Sequence, residues 1–228
     1  MNPNEALSAL QPLVKTFFGV SQGNKTSMYL TLDGDQYVNH DRGFVVLVCS
    51  ACLFAIRCPE LEGTETRSWK ILTGDADLQS LNEGAEPAQA PSWSRVIPST
   101  ISYSNHPMKV EDKALLKHVK ALTKDSREHF KAVNAERVKK GWIPFPPNVT
   151  FRPAKTPQES SLMVSASGMN IPVQAENGTE EVILDGNLLQ KLLSVKVGKA
   201  KALTLTNPTR IDFPEAVAVI ANLAPRRG

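Results

Sequence analysis

Apolar residues recur at helical spacing near the start of the chain, at Leu7, Leu10, Val14, Phe17 and Phe18. The pattern predicts a helix opened by Pro3 or Asn4 and stopped by Gly19. Pro12 falls inside it and is expected to kink or shorten it. Strand-like stretches at residues 28–32 and 36–39 then flank Asp33-Gly34-Asp35, a hairpin signal. Residues 44–49 and 52–58 predict two further strands. The apolar run 44–56 has 13 residues, well short of the roughly 20 that a membrane-spanning helix needs, so it reads as buried strand. Residues 69–72 predict a short strand, and residues 75–81 a short helix capped by Asp75 or Asp77.

Residues 82–94, NEGAEPAQAPSWS, have no apolar period and the composition of a linker. Residues 97–103 read as a strand, and a long helix is predicted over 109–140, ended by Gly141 and by the prolines at 144, 146 and 147. Residues 144–157 read as a proline-rich extended connection, loop or edge. Strands are predicted at 161–166 and 171–175 around Gly168, and at 180–184. A helix over 188–195, capped by Asp185 or Asn187, follows, then strands at 202–206 and 216–221 separated by a proline-containing turn. One pattern is thus used twice. The expectation is an α+β chain of two similar domains, residues 1–90 and 91–228, each with two helices packed on antiparallel sheet.

Charge sharpens this picture at one place. The net charge of the 228-residue chain is only +3, which says little about partners. Between Lys109 and Lys140, however, ten basic residues face five acids, a local balance of +5. Lys109, Lys113, Lys117, Lys120, Lys124, Arg127 and Lys131 step by three or four, so on one helix all seven fall within an arc of roughly 80°. Leu115, Val119, Leu122, Phe130 and Val133 fall on a separate arc suited to packing on a sheet. A local comb of cations suits phosphates; a solvated charged face is the plainer alternative. The first helix carries only Lys15 and does not repeat the stripe.

Three segments carry a resemblance. Residues 182–227, VILDGNLLQKLLSVKVGKAKALTLTNPTRIDFPEAVAVIANLAPRR, hold a strand, an aspartate-led helix with Leu188, Leu189, Leu192 and Leu193, a strand, a turn and a final strand running into Pro-Arg. Residues 101–122, ISYSNHPMKVEDKALLKHVKAL, place a strand before a helix. EALSALQPLV followed by YLTLDGDQYV opens the chain in the same manner. Together they resemble the DNA sliding clamps, the processivity factors of replication, and the length suits the two-domain, ring-of-three phage type. The resemblance implies a non-enzymatic homo-oligomeric ring that encircles duplex DNA and tethers a DNA polymerase or other replication proteins. It places Lys109, Lys113, Lys117, Lys120, Lys124, Arg127 and Lys131 on phosphates, and clients on the connector near residues 83–98 and on the C-terminal tail. The long basic helix is about twice the length of a usual clamp helix, and residues 141–159 have no obvious clamp counterpart.

The remaining chemistry points the same way. Cys49, Cys52 and Cys58 are an odd number within ten residues, a poor secreted disulfide framework, so a reducing cytoplasm is expected. The opening MNPNEALSAL lacks the basic start and apolar core of a signal peptide. A zinc site needs four ligands, only His40 is near the cysteines, and VVLVCSACLFAI is a setting where cysteines pack as small apolar groups. His40, His106, His118 and His129 have no metal spacing. No phosphate loop, dinucleotide fingerprint, nucleophile elbow or EF-hand loop occurs, Asp33, Asp35 and Asp41 included. The expectation is a binding protein without metal or cofactor. Trp142, Phe145 and Phe151 gather after the basic helix. They suit either core burial or base stacking in a single-strand-binding protein or nucleic-acid-binding regulator, the alternative function.

Overall fold

A computed structural model describes residues 1–21, 28–71, 77–84, 88–89, 92–98, 108–153, 161–166, 168–176 and 180–224. Its elements, in chain order, are α1 (Pro3–Ser21), β1 (Met28–Asp33), β2 (Phe44–Val48), β3 (Cys52–Arg57), β4 (Arg67–Ile71), α2 (Leu78–Gly84), β5 (Met108–Val110), α3 (Leu115–Lys139), β6 (Asn148–Arg152), β7 (Ser161–Ala166), β8 (Met169–Glu176), β9 (Val182–Asp185), α4 (Gly186–Leu192), β10 (Ala202–Leu205), β11 (Thr209–Asp212) and β12 (Ala216–Ile220). The chain divides into two compact units. The first holds Met1–Pro98, Val195–Ala200 and Arg210–Ile220; the second holds Ser99–Ser194, Lys201–Thr209 and Ala221–Gly228. Among the described residues each unit is α+β, with two α-helices and antiparallel strands.

The first unit explains its own apolar run. Its strand order is β4-β1-β2-β3-β12-β11, with Leu30 opposite Leu47, Leu47 opposite Phe54 and Phe54 opposite Ala218. Helix α1 packs on β2 and β3 through buried Leu7, Leu10, Leu13, Val14 and Phe17. A separate cluster joins Phe44, Val46, Leu53, Ala55, Val217 and Val219 with Trp93. Because strand neighbours alternate in direction, residues 44–48 and 52–56 meet apolar partners on both faces, which is why they are apolar without alternation.

Asp33, at the end of β1 and fully buried, organises what lies over that cluster. Its carboxylate accepts from the Asp35 and Gln36 backbone N–H groups at 2.9 Å, from Gln36 Nε2 at 2.7 Å and from Trp93 Nε1 at 2.7 Å. Gln36 Oε1 in turn accepts from Ser94 Oγ at 2.6 Å, and Phe44 meets the Trp93 ring edge-on at 5.5 Å. The end of the linker segment, Trp93 and Ser94, is thereby pinned on the first unit. Further along, the chain is held by Arg210, itself buried, whose Nη1 donates to the Pro98 carbonyl at 2.8 Å while Nε donates to Asp212 at 2.8 Å.

The second unit has the order β10-β5-β8-β7-β6-β9. Val110 is paired with Leu203 on one side and Ala175 on the other; Phe151 lies between Val164 and Val182. Helix α3 lies on β6, β7 and β8 and beside α4.

Several expectations are corrected. Helix α1 continues through Pro12, which is exposed, and past Gly19 to Ser21. Residues 36–39 form no hairpin strand: β1 pairs with β2 and β4, and positive φ at Asn39 and His40 turns the chain in a tight loop. Residues 148–152, read as loop or edge, form an interior strand between β7 and β9 whose Val149 and Phe151 are fully buried. The turn expected between residues 206 and 216 contains β11. The predicted long helix over 109–140 begins at Leu115, because residues 108–110 pair with β10 and β8 and so cannot be helical. The strand predicted at 97–103 lies mainly outside the described residues, as does Asp75.

Candidate nucleic-acid interface

The start of α3 is set by Asp112, whose Oδ1 accepts from the Ala114 N–H at 2.6 Å and whose carbonyl accepts from Leu115 at 3.1 Å. From there Leu115, Val119, Leu122, Thr123 and Ser126 are buried, one helical face turned to the sheet. Past Ser126 no residue through Trp142 is buried. Phe130 is half-buried, and Val133, expected in the core, is 46% exposed. The helix therefore belongs to the fold for its first three turns and stands clear of it for the rest.

The seven predicted phosphate contacts separate into two groups. Lys117, Lys120, Lys124, Arg127 and Lys131 lie on α3 and all are exposed. They step by three and four, occupy about 80° of the helix and extend for about 20 Å. Lys131 lies 3.6 Å from Glu128, which borders the stripe. Lys109 sits instead on β5, ion-paired with Glu111, and Lys113 occupies the turn before the helix, exposed.

The stripe is held beside α4. Gly186 opens α4 against Thr123: a Cβ there would meet Thr123 Oγ1 at 2.5 Å, so the close crossing requires glycine. Asp185 caps the helix, accepting from the Asn187 and Leu188 N–H groups at 2.8 and 3.1 Å. Burial pushes its carboxyl pKa up, and the two backbone donors pull it back. Arg127 Nη2 donates to Asn187 Oδ1 at 2.7 Å, bridging the helices. Leu188, Leu189, Leu192 and Leu193 are buried, which leaves Asn187 and Lys191 exposed one turn apart. Lys191 extends the positive surface onto a second helix. Its spacing from the buried leucines marks it as outward-facing, but nothing in the α3 periodicity points to it.

Among the described residues, the helices of the first unit carry no matching row of cations. Among the described residues, α1 exposes Glu5 and Lys15, and α2 exposes Gln79 and Ser80. Asp77 accepts from the Gln79 N–H at 3.0 Å in the capping role predicted for it.

Other chemistry is structural. All three cysteines are buried, with Cys49 Sγ 3.2 Å from Cys52 Sγ across the β2–β3 turn. Burial pushes the Cys58 thiol up to about 11, so it stays protonated and a poor metal ligand at neutral pH. Among the described residues no group of three or more His, Cys, Asp or Glu is placed to hold a metal. His118 Nδ1 lies 3.6 Å from Asp112, and His129 stacks edge-on with Phe130. No helix among them is long and apolar enough to cross a membrane.

No protein-family model and no curated protein matches this sequence. Solved structures do match the fold. The beta subunit of DNA polymerase III from Pseudomonas aeruginosa aligns over 96% of this chain with a TM-score of 0.58 at 12% identity. The Caulobacter crescentus beta sliding clamp aligns over 99% with a TM-score of 0.59 at 12% identity, and the Thermotoga maritima beta subunit over 97% with 0.51 at 15%. The chain spans 65% of the length of each of these proteins. The fold is that of a sliding clamp.

Proposed function

We propose that this chain is a non-enzymatic, clamp-like DNA-tethering protein of the cytoplasm, which closes as a homo-oligomeric ring around duplex DNA and holds a polymerase or another replication protein there. One observation carries the reading beyond likeness of fold. The exposed side of the helix layer in the second unit, the layer that faces DNA in a clamp, carries Lys117, Lys120, Lys124, Arg127 and Lys131, with Lys191 beside them. Flexible cations in a row attract phosphates without reading bases, as a sliding contact requires. Lys109 and Lys113 are secondary contributors. Residues 92–98, fixed to the first unit by Asp33 and Arg210, supply an ordered stretch of the connector for a client to grip; residues 225–228 of the proposed client-binding tail lie outside the described residues.

Closed point-group symmetry is needed to make a ring from two-unit subunits. Light scattering on the purified protein at micromolar concentration is expected to give a dimer or trimer mass. A monomer at every concentration up to 100-fold higher contradicts the ring.

A further inference from the structure

The free half of α3 is built with more care than a solvated helix end requires. After Gly141 the chain turns back along the helix, and Asn134 clasps it: the Asn134 amide donates to the Phe145 carbonyl at 2.9 Å and accepts from the Phe145 N–H at 2.7 Å. Arg137 Nε donates to the Ile143 carbonyl at 2.8 Å, and the Arg137 carbonyl accepts from the Trp142 N–H at 2.8 Å. Phe145 is covered by Phe130 on one side and by the Arg137 guanidinium, 4.0 Å from its ring, on the other. These contacts bury no large side chain. What they achieve is presentation: Trp142 stands 55% exposed, whereas Trp69 and Trp93 are 3% and 1% exposed.

Cations surround the displayed indole. Arg137 and Lys140 lie 5.5 and 5.3 Å from its centre, with Lys139 and Lys131 on the same stretch against Glu128 and Glu136. We infer that this helix end and its return strap bind single-stranded nucleic acid, one base stacking on Trp142 and the flanking phosphates pairing with Arg137, Lys139 and Lys140. Stacking tolerates any base because each has a π face, and Arg137 lies about 120° around α3 from Lys131, so the site is separate from the stripe. A membrane or an apolar partner helix fits less well. Val133 and Val138, the exposed large aliphatic residues of this helical stretch, lie about 140° apart around the helix and make no common face, and beside Trp142 the strap exposes one large aliphatic, Ile143.

The site does not depend on the clamp reading, since a short linear strand needs no ring. The test is titration of the full chain with a twelve-residue oligothymidylate at 50 mM salt. With the other two tryptophans buried, quenching of the indole emission reports Trp142. The strand is expected to quench, and a duplex of equal length to quench far less. By anisotropy of a labelled strand, Trp142→Ala is expected to weaken binding roughly 5- to 150-fold, and Trp142→Phe to retain most of it. The double variant Lys139→Gln/Lys140→Gln is expected to lower the salt slope by about 1.4. An unchanged affinity in Trp142→Ala with native circular dichroism overturns the inference. So does quenching by polyglutamate or phosphatidylserine vesicles but not by the strand, or equal quenching by strand and duplex.

Discussion

Replacing Lys117, Lys120, Lys124 and Lys131 together by glutamine is expected to weaken binding to a 30-base-pair duplex by about 10²- to 10³-fold at 100 mM salt, and to lower the salt slope by about 3 to 4. The slope is the sharper readout, because each neutralised phosphate releases about 0.9 of a counterion. All four side chains are exposed, and among the described residues the ion pair they make is the surface contact of Lys131 with Glu128. Folding stability should therefore move by no more than about 0.5 kcal/mol per site, and a loss of binding cannot be ascribed to unfolding. Lys109 supplies the comparison with a weaker contributor. It lies on β5, off the helix and paired with Glu111, so Lys109→Gln is expected to change the slope by less than about one. If the stripe is only a solvated face, neither variant changes the slope; fluorescence anisotropy across a salt series decides between the two.

The second large effect concerns the fold. Asp33→Ala is expected to destabilise the protein by about 3 to 5 kcal/mol, since hydrogen bonds to a charged group contribute about 1.5 to 3 kcal/mol each and a stranded buried donor costs about 1 to 3. The stranded donor is the Trp93 indole N–H, on a side chain only 1% exposed. At about 2 to 4 °C per kcal/mol for a chain of this size, the melting midpoint should fall by roughly 10 °C. Trp93 emission should also shift to the red as its ring leaves the cover of Phe44. Asp33→Asn keeps an acceptor for one pair of donors but sets its NH2 group against the other pair, so it should lose a comparable amount. A loss below about 1 kcal/mol in Asp33→Ala, read by thermal denaturation, would mean that the network contributes little.

Much of this architecture is legible in the residues, and the failures share a cause. Helix α1 announces itself because Leu7, Leu10, Val14 and Phe17 repeat at its period, and β2 and β3 because an apolar run of that length has few other uses. The two-fold use of helix and strand is likewise visible in the order of the elements. What the local pattern cannot show is where a partner strand lies. Lys109 and Lys113 continue the four-residue step of the stripe, yet Met108–Val110 is claimed by β10 and β8, and tertiary pairing overrides helical spacing. Strand β11 is four residues, Thr-Arg-Ile-Asp, behind an Asn-Pro turn, too short for any period to register. In β6 the flanking prolines at 147 and 153 lie just outside the strand, so they delimit it and do not break it. Val133 illustrates the same limit from the other side. Its place on the apolar arc is correct, but the core beneath α3 ends near Ser126, and the extent of that core is written in other segments.

The candidate site divides in the same way. Five of its cations follow from helical periodicity alone. Lys191 does not, because its proximity depends on Gly186 meeting Thr123 and on Arg127 reaching Asn187, contacts between segments 60 residues apart.

The ring itself is tested most directly by topology. The full chain is incubated at micromolar concentration with a nicked circular plasmid, so that subunits can close around it, and passed through gel filtration in 300 mM salt. Half of the sample is first cut once by a restriction enzyme. Protein is expected to elute with the circle and to be lost from the cut DNA, because an encircling ring slides off a free end. Equal protein on circle and line, including none on either, contradicts the ring.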